Sequence, residues 1–203
     1  MMKAIKTLMI AVLATFGLQA SAQTGSNTFY LQFNPITAKV DIPGQKDKHL
    51  SAIAAGYSHA FAIANGTPLF VEAGANLEYG FKTEDMAGVD VDYSMLSVKV
   101  PVNLVYEFQI PNSSIAIDPY AGLRLRGILM AKQKGGGQTI NYFDKDDMAP
   151  IDTFKRLQVG AQFGVNAKIS NTFLVGAGYG FDFSKVHEYV KFSEFNITLG
   201  WIF

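Results

Sequence analysis

Between Phe195 and Phe203 the odd positions are Phe195, Ile197, Leu199, Trp201 and Phe203, all large and apolar. The even positions are Asn196, Thr198, Gly200 and Ile202, of which only Ile202 breaks the rule. A period of two sends successive side chains to opposite faces of an extended strand. The stretch therefore predicts a strand with one apolar and one polar face, and what each face meets decides the fold.

The same rhythm fills most of the chain. In 69–82, Leu69, Val71, Leu77, Tyr79 and Phe81 alternate with Glu72, Asn76, Glu78 and Lys82. In 96–108, Leu96, Val98, Val100, Val102 and Leu104 oppose Ser97, Lys99, Asn103 and Glu107. In the segment from Ile115, Leu123 and Leu125 oppose Asp118, Arg124 and Arg126; in 157–169, Val159, Phe163 and Val165 oppose Gln158, Gln162, Asn166 and Lys168. In 173–183, Phe173, Val175, Tyr179 and Phe181 oppose a Gly row and Asp182, and 49–64 alternates large apolar residues with Ala, Gly and Ser. The first strand, 28–40, is interrupted: Pro35 removes a ladder donor and the alternation changes phase beyond it, which predicts a bulge. With the terminal strand this makes eight strands, with no segment of helical period.

The chain opens with Lys3 and Lys6, runs apolar from Leu8 to Leu18, and reaches Ala20-Ser21-Ala22. That order describes a secretory signal peptide over 1–22, cleaved between Ala22 and Gln23, ahead of one domain at 23–203. There is no Cys, which removes disulfides, thiol catalysis and a lipidated-cysteine anchor. Without Lys3 and Lys6 the chain carries 15 basic against 17 acidic residues, a balance of −2 that predicts no nucleic-acid partner.

A soluble barrel would bury the apolar face and put the charges in water. Three features favour the reverse. The strands exceed the roughly 9–11 residues needed to cross a bilayer. Aromatic residues cluster at both ends of the apolar face, with Tyr79, Phe81, Phe181 and Phe183 at one and Phe29, Tyr106, Phe108, Phe173, Trp201 and Phe203 at the other, as interfacial girdles do. Short connections (65–68, 109–113, 170–171) alternate with longer ones (41–48, 83–92, 132–152, 184–190). The expected fold is an all-β, eight-stranded, antiparallel up-and-down transmembrane barrel, because only a closed sheet leaves no backbone group unpaired in lipid.

Residues 96–102 (Leu-Ser-Val-Lys-Val-Pro-Val), 118–122 (Asp-Pro-Tyr-Ala-Gly) and 199–203 (Leu-Gly-Trp-Ile-Phe) resemble strands of the small outer-membrane β-barrel family, akin to PorT-like proteins, OmpX and the OmpA membrane domain. The resemblance covers nearly the whole mature chain and implies a porin-family protein of the Gram-negative outer membrane. It implies that Leu199, Trp201 and Phe203 form the insertion signal read by the outer-membrane assembly machinery. The family lends no catalytic residues.

The chemistry-bearing patterns read as structure. Gly176, Gly178 and Gly180 lie within a strand with no helix behind them to hold a phosphate. Asp144-Lys145-Asp146-Asp147 lacks the Gly and distal Glu of a calcium loop, so no metal or cofactor is expected. Ser58 and His59 are adjacent and point to opposite faces, so they assemble no local triad for a lipid A hydrolase. The interior charges Glu72, Glu78, Lys82, Lys99, Glu107, Asp118, Arg124, Arg126, Lys168 and Asp182 nearly balance. Eight strands leave an interior that side chains fill, so these charges are expected to plug the lumen. The expected protein is a monomer embedded in outer-membrane lipid, not an enzyme, with a structural, adhesive or binding role. Its extracellular contact patch is expected in the loop 132–152, where Tyr142, Phe143 and Met148 sit in a Gly-flexible setting. A narrow small-solute pore and a lipid A-modifying hydrolase are the alternatives.

Overall fold

The computed structural model describes residues 25–64, 66–86, 88–149 and 153–203. The expected cleavage position at Ala22 and Gln23 lies outside these residues. The strands are β1 (Ser26–Phe33), β2 (Ile36–Val40), β3 (Lys48–Ala62), β4 (Leu69–Met86), β5 (Val89–Tyr106), β6 (Phe108–Gln109), β7 (Ile115–Gly135), β8 (Gln138–Asn141), β9 (Leu157–Ile169), β10 (Phe173–Asp182) and β11 (Val190–Ile202). A short helix, α1 (Lys145–Met148), lies between β8 and β9.

All pairings are antiparallel, and β1 pairs with both β3 and β11, which closes the sheet. With β1 and β2 as one wall, β5 and β6 as another, and β8 a flap on β7, the ring has eight strands. Asn27 and Phe203 exchange backbone hydrogen bonds of 3.1 and 2.9 Å, so both chain ends meet at one rim. The connections after β2, β4, β8 and β10 gather at the opposite, loop rim.

The apolar face is outside. Leu123 is 61 % exposed and Leu199 60 %, whereas Arg124 and Arg126, one residue removed from Leu123 or Leu125, are 2 % and 0 % exposed. A wall of this kind gains nothing from water; it suits lipid, where a closed ring leaves no open sheet edge. The two aromatic belts lie on this outer face at the positions expected.

Three local readings need correction. Across Pro35 no residue is inserted: Phe33 pairs with Ile53 and Ile36 with Leu50, while Phe33 pairs with Ile197 and Ile36 with Glu194. Asn34 keeps both hydrogen bonds to Ala52, at 2.7 and 2.9 Å. What changes beyond Pro35 is the polarity of the lumen, since Ile36 and Ala38 point inward into an apolar layer.

The bulge lies on β7 instead. Leu96 pairs with Met130 but Ser97 with Ile128, so Leu129 is extra and the inward parity shifts from Ile128 to Ala131. Ile-Leu-Met-Ala has no polar contrast, so the shift leaves no trace in the alternation.

Two connections are also shorter than expected. Residues 83–92 are mostly strand, because β4 and β5 pair up to Met86 and Val89. Likewise Lys132 to Gly135 continue β7, and β8 folds back on them. Both hairpins stand beyond the aromatic belt at the loop rim.

Candidate functional site

The lumen holds the charged groups in tiers. Nearest the terminal rim, Lys168 Nζ lies 2.7 Å from Glu107 and 2.8 Å from Asp118. Above it is a polar tier containing Tyr30, Asn76, Asn103 and Tyr120, where Asn103 Nδ2 donates to Glu72 Oε1 at 3.1 Å.

The next tier is an ion cluster contributed by β4, β5, β7, β10 and β11. Lys99 Nζ donates to Glu78 and to Glu194, both at 2.7 Å. Arg124 donates to Glu194 at 2.6 Å and twice to Asp182, at 2.9 and 3.2 Å. Arg126 donates to Asp182 at 2.9 Å and, through its other Nη, to Glu194. Ser97 and Asn34 complete Glu78, at 3.2 and 2.6 Å. Lys99, Arg124 and Arg126 thus face Glu78, Asp182 and Glu194, three charges of each sign, all buried. Bare charges in such a place are costly, and mutual pairing is what makes them tolerable, although the Arg126 Nε finds no acceptor among the described residues.

Glycines make room for this cluster. A Cβ at Gly180 would fall on the Arg124 guanidinium, and one at Gly178 on the Tyr120 hydroxyl. Gly178 and Gly180 of β10 thus leave space for long side chains from β7, and a Cβ at Gly176 would fall on the Asn166 side chain of β9.

Over the ion cluster lies an apolar layer of Ile36, Ala38, Ala52, Met95, Ile128, Ala131, Val186 and Phe192. Tyr142, Phe143 and Phe154 pack against it from the loop rim. The Tyr142 hydroxyl donates to Gln133 at 2.7 Å, and burial pushes its phenol up to about 12. Arg156 lies 3.8 Å over the Phe143 ring and donates to the bulge carbonyls of Leu129 and Ile128, at 2.8 and 3.3 Å. The bulge is thereby tied to the cap.

A family model described as the outer membrane protein beta-barrel domain matches residues 8–203. The chain belongs to that family. As a member of the outer-membrane β-barrel family it belongs to the Gram-negative outer membrane. Among solved structures, neisserial surface protein A superposes with a TM-score of 0.55 at 15 % identity, over 88 % of this chain and 99 % of that one. The attachment invasion locus protein of Yersinia pestis superposes at 0.50 with 16 % identity, over 89 % and 100 %. A major outer membrane protein from Thermus thermophilus does so at 0.50 with 12 % identity, over 89 % and 100 %. At these identities the likeness is one of fold. No curated protein sequence matches the chain.

The barrel brings Glu78, Lys99, Arg124, Arg126 and Asp182 together, and separately Glu107, Asp118 and Lys168. Lys82 sits apart near the loop rim, where it shares Glu84 with Lys48, at 3.2 and 3.1 Å. Glu194, which ties three cations together, is missed when the last strand is read from Phe195. Its even position, in phase with Asn196 and Thr198, is the available signal.

Leu199, Trp201 and Phe203 face outward, on the strand that closes the barrel against β1. The 132–152 segment is not the free loop expected. Met148 is buried, and Tyr142 and Phe143 are turned onto the lumen. Residues 150–152, at the end of that segment, lie outside the described residues. Asp144 caps α1 through the Asp146 N–H at 3.0 Å, and Asp147 accepts from the Asn141 N–H at 2.9 Å, so this acidic run organises the cap. As the alternation required, Ser58 faces the lumen while the outward His59 ring meets Asn27 at 2.8 Å; His49 meets Thr37 at 3.1 Å.

Proposed function

We propose that this protein is a sealed outer-membrane barrel that acts as a structural or binding platform, not as a channel. The observation that carries the reading is the stack of a neutral six-residue ion cluster beneath an apolar layer, itself covered by Tyr142, Phe143 and Phe154. An ion crossing it would have to break buried, hydrogen-bonded pairs and then pass a layer offering no ligand. The hairpins β4–β5 and β7–β8 then stand outside the cell as the contact surface, on a rigid support. A relative of the same fold, the attachment invasion locus protein, has been crystallised with a heparin analogue, sucrose octasulfate. That property belongs to the relative, and it supports the idea that such a barrel can carry an external binding surface.

In this reading the protein is exported with a leader removed after Ala22. The assembly machinery inserts it through Leu199, Trp201 and Phe203, and it stands as a monomer with both ends in the periplasm. The test is electrical. Purified, heat-modifiable protein in planar bilayers is expected to give no sustained conductance steps. Stable steps whose selectivity changes in Arg124→Ala or Glu78→Ala would replace the platform with the narrow pore.

A further inference from the structure

The ion cluster is self-neutralising, but the tier below it is not. Glu107 and Asp118 share Lys168, whereas Glu72 receives no ion pair from any described residue. Its hydrogen bonds come from neutral groups, Asn103 at 3.1 Å and Ser58. Lys99 reaches toward the same space, yet its ammonium is committed to Glu78 and Glu194.

Glu72 lines a cavity of about 50 Å³ together with Tyr30, Asn76, Asn103, Tyr120 and Asn196. That is room for a few waters or a partly hydrated small ion. Asn76 and Asn196 are 7 % and 5 % exposed, and the Oδ1 of each finds no donor among the described residues. Both amides are otherwise engaged, Asn76 Nδ2 donating to Tyr30 Oη at 3.3 Å and Asn196 hydrogen-bonding the Tyr120 side chain. Beside Asn76 the β4–β5 ladder skips Gly74–Pro101 and Ala75–Val100, where Pro101 has no N–H to give.

Orphaned carbonyl oxygens, phenolic oxygens and one uncompensated carboxylate form a set of hard acceptors with a single negative charge. Hard oxygen sets suit alkali and alkaline-earth cations. Divalent ions demand more charged ligands, and among the described residues no three acidic or imidazole side chains are placed to hold a metal ion. We propose that this cavity binds one alkali-metal cation, Na⁺ or K⁺, with Glu72 as the charged ligand and Asn76 and Asn196 as neutral ones. The cation offsets the charge of Glu72 and stabilises the barrel without crossing it. The proposal stands whether or not the barrel binds anything at its loop rim.

The experiment uses the full mature barrel refolded in neutral detergent at pH 8. The thermal midpoint of the heat-modifiable form is measured in NaCl, KCl and N-methylglucamine chloride at equal ionic strength, alongside the ²³Na NMR linewidth. The expected result is a midpoint that rises saturably with Na⁺ or K⁺, and ²³Na broadening that excess K⁺ reverses. Glu72→Gln is expected to fold and lose both. Asn196→Ala is expected to raise the half-saturating concentration by about tenfold, and it decides the matter with the wild type should Glu72→Gln not fold. Equal midpoints in all three salts without broadening would mean the cavity holds only water or a proton, which overturns the proposal. A cation effect that survives Glu72→Gln would overturn it as well.

Discussion

Glu194 and Arg124 meet at 2.6 Å in the lumen, although 70 residues separate them in sequence and three steps around the wall separate their strands. Glu194 also takes hydrogen bonds from Lys99 and Arg126, so one carboxylate joins β5, β7 and β11. This crossing of the lumen, more than any wall contact, makes the interior a single unit.

Glu194→Gln would keep the shape and leave three buried cations facing two carboxylates. Breaking a buried pair by removing one partner costs about 3–5 kcal/mol. Urea unfolding in lipid vesicles should show a loss of that size, with the variant still reaching the folded form. A loss below about 1 kcal/mol, the size typical of exposed pairs, would mean that water reaches the cluster.

Arg156→Ala should loosen the cap. The variant loses a cation–π contact, worth roughly 0.5–2 kcal/mol, and the donors that satisfy the bulge carbonyls. Hydrogen exchange should rise at residues 128–131 and 141–144, while the strands nearer the terminal rim keep their protection. Uniform loss of protection would contradict a role confined to the cap.

Deletion of Phe203 should reduce the folded fraction recovered in outer membranes, if the outward row Leu199, Trp201 and Phe203 is what the assembly machinery reads. Gln138→Ala, on the exposed β8 flap, should assemble as the unaltered protein does. Equal recovery of both would remove the insertion signal from the reading.

Intact mass of protein extracted from outer membranes should correspond to residues 23–203. A mass that retains 1–22 would contradict cleavage between Ala22 and Gln23.

Much of the fold was legible because each transmembrane strand sorts its residues by face. The parity of Glu78, Lys99, Arg124, Arg126 and Asp182 placed them in the lumen without any structure. Parity fails where both faces have the same polarity. At residues 128–131 four apolar residues in a row concealed the bulge, and at Ile36 an inward apolar residue looked like a change of phase. Parity also says nothing about which lumen residues touch. That Glu107, Asp118 and Lys168 form a group apart from the Glu194 cluster depends on heights around a tilted ring. The cap was unreadable for another reason: Tyr142, Phe143 and Met148 had no visible partner until the lumen beneath them proved apolar at that level.

The last lumen carboxylate comes from the last strand. Until β11 takes its place, Lys99, Arg124 and Arg126 have only Glu78 and Asp182 to answer them, and β1 and β10 each lack a neighbour. An unfinished sheet is then penalised twice in a lipid setting, through its open edges and through surplus positive charge in its interior. Closure of the seam and neutralisation of the ion cluster thus depend on the same strand.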